Sequence, residues 1–244
     1  MNEVKRLAHG TTVGTNALIQ RRGGAVGVIT TDGFRDLLEI GRQIRPRLYD
    51  LKTDNPAPLA PRKHRFEVKE RMGSKGEVIT AVDPASLDTV IAQARESGIE
   101  ACAVCLLFAF LNDAHEKEIE AALKAALPDL QVSLSSSVQP EFREYERFST
   151  TLLNAYLQPT LTRYMHELEQ ELARRVPQAI VGINQSSGGL MSVKRAQQFP
   201  IRTALSGPAA GAIGAIHAAR LSARPNVITL DMGGTSADVA LIRN

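Results

Sequence analysis

The chain has 244 residues, of which 43% are hydrophobic and 23% charged, and its formal net charge is +3 at pH 7. The positive charge is spread along the chain apart from short clusters at Arg42–Arg47 and Arg62–Arg71, so nucleic-acid binding has little support. No apolar run approaches the ~18 residues that a membrane-spanning helix needs, and the first residues lack a signal-peptide core. We therefore expect a soluble, cytoplasmic protein with neither a nucleic-acid nor a membrane partner.

The N-terminal part of the chain predicts a helix followed by a buried strand. Residues Thr11 to Arg22 have helical spacing, with Thr11 or Thr12 as the N-cap and Gly23-Gly24 as the stop. The β-branched run Ala25–Thr31 then predicts the strand.

A segment rich in proline and arginine follows a short predicted helix at Phe34–Ile40. Residues 42–61 have little periodicity and predict a loop or the border of an active site. Its Arg42, Arg45 and Arg47 could meet an anionic substrate, although solvated surface charge explains such residues equally well.

Residues 65–135 predict a parallel sheet with one interruption. Arg65–Arg71 and Glu77–Val82 alternate as an antiparallel pair of strands would. Helices then alternate with apolar strands, which indicates a parallel sheet covered on both faces. These elements are helix Pro84–Ser97, strand Glu100–Phe110, helix Asp113–Leu127 and strand Gln131–Ser135.

The two cysteines, Cys102 and Cys105, form a CxxC pattern inside the predicted strand Glu100–Phe110. Residues three apart in a strand point to opposite faces, so neither a disulfide nor a shared metal fits. We expect both to be small core residues.

Residues Glu141 to Val176 predict two helices or one kinked at Pro159. Tyr164 belongs to an apolar stripe that we assign to the core. Arg147 belongs to a charged first turn that we expect to be solvated or ion-paired.

A glycine pair follows the next predicted strand, Ala179–Asn184. In the loop Gln185–Gly189 polar side chains precede Gly188 and Gly189, which fits either a ligand loop or a plain turn.

The segment Leu205–Leu221 predicts a helix with Ser206 as its N-cap. Gly207, Gly211 and Gly214 recur on one face. Each costs ~1 kcal/mol relative to alanine, so we expect close backbone approach to a sheet, another helix or a nucleotide. Ser206-Gly207, at the helix N-terminus, is the part that could meet a ligand.

The last stretch, Val227–Ile242, predicts strand, glycine turn and strand. An ordinary hairpin would account for the two glycines alone. Two acids and two hydroxyls around the same turn favour a phosphate site instead. Gly233, Gly234, Thr235 and Ser236 would offer donors to the phosphate, and Asp231 and Asp238 flank them. Asp231 could hold Mg²⁺ directly or through water, or orient a nucleophile.

Seven blocks spread along the chain together resemble the A subunit of the hydantoinase A/5-oxoprolinase family. They are HGTTVGTNAL from His9, TTDGFRDLLEIGRQ from Thr30, RPRLYDL from Arg45, EYERFSTTLLNAYL from Glu144, QSSGGLMS from Gln185, LSGPAAG from Leu205 and LDMGGTSADVALI from Leu230.

This resemblance implies an α/β fold of the actin, heat-shock-70 and sugar-kinase type, with ribonuclease-H-like lobes of mixed sheet covered by helices that close on ATP. Asp231 to Asp238 then matches the second phosphate loop. The family's first DxGGT loop has no counterpart here. We therefore expect an incomplete fold, with residues 1–224 forming most of the first lobe and residues 225–244 the opening hairpin of the second. We expect that hairpin to be poorly ordered or unusually paired.

The resemblance also places substrate-side candidates. His9, Thr11, Thr12 and Asn16 match the HGTT block and are expected beside the cleft, although a helix cap explains the threonines equally well. Gln185 and Ser187 match a further block. Relatives commonly have Asn at the position of Ser187, which weakens the prediction that the loop Gln185–Gly189 recognises substrate as it does in relatives. They commonly have Thr at the position of Ala237, so this chain lacks one hydroxyl near the phosphates.

The function implied is ATP-dependent opening of a cyclic amide, such as a hydantoin or 5-oxoproline, together with a B-type subunit. A ketone carboxylase subunit and a non-catalytic docking module stay open as alternatives, as does a homo-oligomer. We expect the 244-residue chain alone to be inactive.

Overall fold

The structure is a computed structural model that describes residues 4–44, 47, 49–50, 52–53 and 56–243. Arg45, one of the predicted anion contacts, lies outside these residues. The chain divides into two compact units, Gly24–Pro159 on the one hand and Met1–Gly23 with Thr160–Asn244 on the other.

The described part of the chain contains eleven strands and eight α-helices. The strands are β1 Arg6–His9, β2 Val26–Thr31, β3 Arg65–Val68, β4 Arg71–Met72, β5 Val78–Thr80, β6 Ala101–Cys105, β7 Gln131–Leu134, β8 Ile180–Asn184, β9 Leu190–Met191, β10 Val227–Met232 and β11 Ala237–Ile242. The helices are α1 Val13–Ile19, α2 Leu37–Ile40, α3 Pro84–Ser97, α4 Ala114–Ala126, α5 Ser135–Val138, α6 Glu144–Arg175, α7 Val193–Gln198 and α8 Ser206–Leu221.

The unit Gly24–Pro159 is built on a parallel sheet of four strands in the order β3-β2-β6-β7. Residues of α3 and α4, among them Val90 and Ile119, pack with Ile29 and Val104 in one core cluster. The first half of α6 packs on the other face, where the Asn154 amide donates to Ser133 Oγ of β7 at 3.0 Å. The predicted parallel sheet with both faces covered is thus confirmed.

Two strand predictions in this unit were partly wrong. Only Arg71–Met72 and Val78–Thr80 form an antiparallel pair, because Arg65–Val68 joins the parallel sheet beside β2. The strand predicted over Glu100–Phe110 ends at Cys105, because the chain turns at Phe108, whose φ is +58°. An apolar run does not distinguish a strand from the buried turn that follows it.

Arg147 was predicted to be solvated or ion-paired in the first turn of its helix, but it is fully buried, with 0% of its surface exposed. Its guanidinium donates to the Leu106 carbonyl at 2.8 Å and to the Glu141 carbonyl at 2.9 Å. Nearby, the buried Glu116 carboxyl accepts from Leu106 N–H and from Ser135 Oγ. Desolvation raises the pKa of Glu116 and lowers that of Arg147. These groups fix the loop after β6 to α4 and α6.

The long helix α6 is continuous, with Pro159 inside it. A β-carbon at Gly24 would lie 2.6 Å from the Pro159 ring, so only glycine permits this approach. Of the two predicted alternatives, two separate helices is wrong, because one helix runs through Pro159.

The second unit contains a mixed three-stranded sheet in the order β1-β8-β9 and the hairpin β10–β11. Strands β1 and β8 are parallel, and β8 and β9 are antiparallel. The hairpin pairs in unbroken register from Val227–Ile242 to Met232–Ala237. The expectation of an unusually paired hairpin was therefore wrong, since a tight turn and β-branched strands suffice to set the register.

The three glycines of α8 differ in how closely other residues approach them. A β-carbon at Gly207 would lie 2.7 Å from Thr12 Cγ2, so close approach holds at this position. At Gly211 and Gly214 no described atom lies within 4 Å of the place that a β-carbon would occupy, and nothing in the structure explains these two glycines.

None of the described helices is both long and apolar enough to cross a membrane.

Cys102 and Cys105 are both free and fully buried, as predicted. Desolvation raises the pKa of Cys102 to about 12 and that of Cys105 well above its usual value.

Since the thiolate is the reactive form, neither thiol should react with iodoacetamide at pH 8 until the chain unfolds. Mass spectrometry of the native and urea-unfolded chain tests this, with free glutathione as the control. Labelling of the native chain at the glutathione rate would contradict it.

Candidate functional site

The first part of the candidate site lies where β1 and β8 end side by side. The strands are parallel and His9 pairs with Ile183, so the turn after His9 and the loop after Asn184 leave the same edge of the sheet. A β-carbon at Gly10 would lie 3.1 Å from Ala210 Cβ and 3.4 Å from Asn184 Nδ2. The glycine thus allows β1, β8 and α8 to meet at this edge.

Two hydroxyl groups then fasten this turn to the start of α8. The buried Ser206 Oγ accepts from Thr11 N–H at 3.4 Å and donates to the Thr11 carbonyl at 3.2 Å. In return, Thr15 Oγ1 accepts from Leu205 N–H at 2.8 Å. We call these four residues the hydroxyl lock. It joins segments 190 or more positions apart in the sequence.

The predicted N-cap was right for α1, where Thr12 occupies that position, and wrong for α8. Leu205, not Ser206, occupies the N-cap position of α8, and Ser206 is the first helical residue. Thr12 occupies the N-cap position of α1 without a side-chain cap bond, whereas Thr11 Oγ1 accepts from Val13 N–H at 3.2 Å. The hydroxyl of Ser206 is therefore used for tertiary contact instead of local capping.

Leu205 has a left-handed backbone, with φ of +62°. This conformation costs a non-glycine residue roughly 1–2 kcal/mol. The side chain is 56% exposed, so core packing does not explain the choice of leucine over glycine. The hydrogen bond from Leu205 N–H to Thr15 helps to hold the conformation.

His9 lies at the end of β1 against α6. Its Nε2 is 2.7 Å from the Tyr164 hydroxyl, and the ring centroids are 5.9 Å apart. Burial lowers the pKa of His9 below its usual value, which disfavours the charged form of the ring. Tyr164 is half-buried, and its hydroxyl serves this contact.

The hairpin tip offers both anion donors and carboxylates. Gly233 N–H donates to the Ser236 carbonyl at 2.9 Å, which closes the turn and removes one predicted phosphate donor. In the described chain the N–H groups of Gly234, Thr235 and Ser236 have no hydrogen-bond acceptor. The Gln20 amide donates to Thr235 Oγ1 at 3.2 Å and so ties the tip to the end of α1.

Asp231 and Asp238 are directly paired across the hairpin. Paired residues in an antiparallel ladder have Cβ atoms roughly 4.5–5.5 Å apart and share one face. Ser236 Oγ donates to Asp238 Oδ2 at 3.1 Å, and among the described residues neither carboxylate has a salt-bridge partner. Two neighbouring carboxylates that have no cationic side chain beside them suit Mg²⁺, which proteins bind through one or two carboxylates and substrate phosphates. Among the described residues no group of three or more His, Cys, Asp or Glu could hold a metal.

These carboxylates line a cleft of about 610 Å³ between the hairpin and the start of α8. Leu205, Pro208 and Ala212 form part of one wall, and Asp231, Asp238 and Val239 part of the other. Ser186 also reaches the cleft, with its N–H and hydroxyl both donating to the Arg202 carbonyl. The volume lies within the ~300–1,000 Å³ usual for small-molecule sites.

Other predicted residues lie outside the cleft wall. Gln185 and Ser187 belong to the β8–β9 turn, in which Gly188 N–H donates to the Gln185 carbonyl at 3.1 Å. Asn16 lies in the first turn of α1, and Thr12 Cγ2 packs against Gly207. Their part in substrate binding stays a prediction.

The predicted arginines have partners of their own in the other unit. Arg42 contacts Glu146 Oε1 at 2.5 Å, and this bond holds the pKa of Glu146 below its usual value. Arg47 lies 3.9 Å from Asp50. Surface ion pairing accounts for both.

A larger groove, of about 850 Å³, lies along β3 and α3 in the unit Gly24–Pro159. Its charged residues largely neutralise one another, as in Arg35 with Glu67 at 2.5 Å and Arg62 with Asp36 at 2.9 Å. The groove includes the basic residues Arg62, Lys63 and Lys69, but its described residues include no pair of carboxylates beside unengaged N–H groups. The cleft at Asp231 and Asp238 has both and is the better candidate.

Sequence reasoning missed four residues of this region: Thr15, Gln20, Tyr164 and Leu205. Each has a partner 155 to 215 positions away, or a backbone conformation that no local pattern indicates. Thr15 and Leu205 stood within quoted blocks, but no feature of the sequence set either apart from its neighbours.

Family comparison agrees with the motifs. The model of the hydantoinase/oxoprolinase N-terminal region matches residues 1–127, and that of hydantoinase/oxoprolinase matches residues 147–244. The chain belongs to the hydantoinase/oxoprolinase family.

Curated relatives include enzymes of more than one kind. Caprolactamase subunit alpha of Pseudomonas jessenii is 36% identical over 96% of this chain and 34% of its own length. 5-Oxoprolinase 1 of Arabidopsis thaliana is 32% identical over 98% of this chain and 20% of its length. The acetophenone carboxylase gamma subunit of Aromatoleum aromaticum is 30% identical over 97% of this chain and 34% of its length. The chain thus spans about a third or less of these proteins.

Solved structures confirm the fold class. The crystal structure of ATP-dependent caprolactamase from Pseudomonas jessenii matches with a TM-score of 0.80 and 34% identity, over 98% of this chain and 35% of that one. Nucleotide-free acetone carboxylase matches with a TM-score of 0.87 and 24% identity, over 99% and 36%, and shows the fold alone.

Replacing Ser206 by alanine should destabilise the chain by about 1–3 kcal/mol, because the buried N–H of Thr11 loses its hydrogen-bond acceptor. Ser222→Ala is the matched control, since Ser222 lies at the other end of the same helix with an exposed hydroxyl. Urea unfolding followed by circular dichroism gives both free energies. Equal stability of the two variants would show that the hydroxyl lock contributes nothing.

Proposed function

We propose that this chain forms part of an ATP-dependent enzyme that opens a cyclic amide of the hydantoin or 5-oxoproline type. The observation that carries the proposal is the pairing of Asp231 and Asp238 beside three unengaged N–H groups at the hairpin tip. Carboxylates for a metal and N–H groups for phosphate oxygens are what a phosphoryl-transfer site requires. The relatives named caprolactamase and 5-oxoprolinase support the substrate class.

Each part of the site has a definite task in such a reaction. Asp231 and Asp238 would hold Mg²⁺, and Gly234, Thr235 and Ser236 would donate to phosphate oxygens. Mg-ATP, when bound, supplies the phosphoryl group that makes the amide oxygen a better leaving group. The hydroxyl lock holds the start of α8 against the turn after His9 and so keeps one cleft wall in place.

His9 would act on the substrate side as a neutral group. With its pKa lowered by burial, its ring can accept or donate a hydrogen bond without carrying charge. Thr11 and Ser206 would support the cleft through the lock. Thr12 and Asn16 remain candidates for substrate contact, as do Gln185, Ser187 and Arg42. Gly207 would serve by letting Thr12 approach α8.

We also propose the wider setting of the reaction. Residues 1–224 would belong to a first lobe and residues 225–244 to the opening hairpin of a second. Relatives named as subunits support a B-type partner subunit. Since ATP is made and used inside the cell, we assign the reaction to the cytoplasm.

A ketone carboxylase subunit is the second candidate function. The observation in its favour is the 30% identity with the acetophenone carboxylase gamma subunit. The same carboxylates and N–H groups would then serve phosphoryl transfer to an enolate oxygen, because both substrates offer an oxygen as phosphoryl acceptor.

Replacing Asp231 by asparagine should lower kcat for ATP hydrolysis by at least ~100-fold, because a metal ligand would be lost. Asp231 is exposed, so folding should not change. Asp88→Asn, on the exposed surface of α3, is the control. Steady-state kinetics of the enzyme with its partner subunit measures the effect. Retained turnover in the Asp231 variant would remove the hairpin from the reaction.

The two candidate functions also differ in what stimulates ATP hydrolysis. Cyclic amides should raise the rate without bicarbonate, since water completes the opening of the ring. A coupled assay with hydantoin, 5-oxoproline and ε-caprolactam, against acetophenone with bicarbonate, compares them. Stimulation by the ketone and bicarbonate alone would favour the carboxylase.

A further inference from the structure

The two compact units of the chain are joined by two covalent connections, at Gly23-Gly24 and at Pro159-Thr160. Both connections leave the unit Gly24–Pro159 at the same point. There Gly24 N–H donates to the Tyr156 carbonyl at 3.0 Å, and a β-carbon at Gly24 would lie 2.6 Å from the Pro159 ring. A movement at this point would involve both connections together.

The first connection has its adjustable residue at Gly23. On one side, the turn that ends α1 is fixed by the Arg22 N–H, which donates to the Ala17 carbonyl at 2.9 Å. On the other side, the Glu100 carboxylate accepts from Ala25 N–H at 3.0 Å, and the Glu100 N–H donates to the Ala25 carbonyl at 2.8 Å. Gly23 lies between these fixed points, and glycine changes its backbone angles at the least steric cost.

The second connection is the middle of α6, where Pro159 lies. The helix is held before this point by Asn154, whose amide donates to Ser133 Oγ at 3.0 Å, and after it by Tyr164, whose hydroxyl lies 2.7 Å from His9 Nε2. Proline has no N–H, so Pro159 cannot donate to the carbonyl four residues earlier, and its ring crowds that carbonyl. Bending of a helix concentrates at such a position. The weakest point of α6 therefore coincides with the first connection.

The first connection also leads directly to the hairpin tip. Gln20, the C-cap of α1, lies three positions before Gly23 and donates to Thr235 Oγ1 at 3.2 Å. A phosphate oxygen bound at the tip would accept from the Thr235 hydroxyl and from the Gln20 amide, and bonds to a charged acceptor are stronger than bonds between neutral groups. Binding at the tip would therefore act on the end of α1, next to Gly23.

We propose that Gly23 and Pro159 form a hinge, and that the unit Gly24–Pro159 turns about it when nucleotide binds at the hairpin tip. Movement of compact units about a few adaptable residues is a common response of enzymes to ligands. The hinge itself follows from the contacts at the two connections. Its response to nucleotide rests on the proposed function and adds a conformational step to it.

The first test measures the distance between spin labels on Asp88→Cys in α3 and Leu221→Cys in α8 by double electron–electron resonance. Both positions are exposed, the two native cysteines of this chain are buried, and other exposed cysteines of the enzyme are replaced. In the enzyme with its partner subunit, Mg²⁺ and a non-hydrolysable ATP analogue should shift the distance by several ångströms. Labels on Asp88→Cys and Lys124→Cys, both within the unit Gly24–Pro159, should give one unchanged distance.

The second test stiffens the hinge. Pro159→Ala adds the missing helical N–H and removes ring atoms that lie against Gly24, so the chain should still fold. The variant should lose most of the nucleotide-dependent shift, and amide exchange in residues 160–163 should slow at least ~10-fold. Pro84→Ala is the matched control, because Pro84 begins α3, where a helix does not need the N–H. It should keep the full shift.

Calorimetry with the same ATP analogue separates this inference from the proposed function. If the analogue binds and the distance between the labels on the two units does not change, the inference is overturned while the proposed function stands. If the enzyme neither binds the analogue nor hydrolyses ATP, the proposed function fails and the nucleotide response fails with it. A full shift in the Pro159→Ala variant would overturn the assignment of Pro159 to the hinge.

Discussion

The hydroxyl lock is the interaction on which the candidate site depends. Ser206 binds both backbone groups of Thr11, and Thr15 binds the N–H of Leu205. Because these bonds run in both directions, the turn after β1 and the start of α8 fix each other. The strained backbone of Leu205, the close fit of Gly207 and the cleft wall at Pro208 all follow from that junction.

The lock also explains why a hairpin at the end of the chain can serve a site built from its beginning. Strands β10 and β11 lie against α8, and Gln20 of the first segment donates to Thr235 at the hairpin tip. A site in this unit therefore uses residues from both its chain segments. In the proposed reaction the chemical groups lie on the hairpin, and α8, which the lock positions, forms the other wall of the cleft.

Much of the secondary structure could be predicted because it depends on local patterns. The bounds of α3 were predicted without error, since Asp83 caps it and Gly98 ends it. The hairpin followed from two β-branched runs around Gly233 and Gly234.

Predictions failed where tertiary contacts decided the outcome. Arg147 was expected to be solvated or ion-paired, because its partners, the Leu106 and Glu141 carbonyls, are backbone groups that the sequence does not mark. The candidate site divides in the same way. The hairpin with Asp231 and Asp238 on either side of its turn could be predicted, because these parts are contiguous in sequence, whereas Gly233, predicted as a phosphate donor, donates within the turn. The left-handed conformation of Leu205 could not be predicted, because leucine disfavours it and the bond to Thr15 that helps to hold it joins distant parts of the sequence.

The proposed chemistry of the site rests on the paired Asp231 and Asp238 and on the three N–H groups at the hairpin tip that have no acceptor in the described chain. The central claim is that a phosphoryl group passes to the amide oxygen. Ring opening of a lactam labelled with ¹⁸O in its carbonyl, followed by mass spectrometry of the released phosphate, tests this most directly. Phosphoryl transfer predicts one ¹⁸O atom in each phosphate, because the activated oxygen leaves carbon with phosphorus. Unlabelled phosphate, formed at the rate of ring opening, would contradict it.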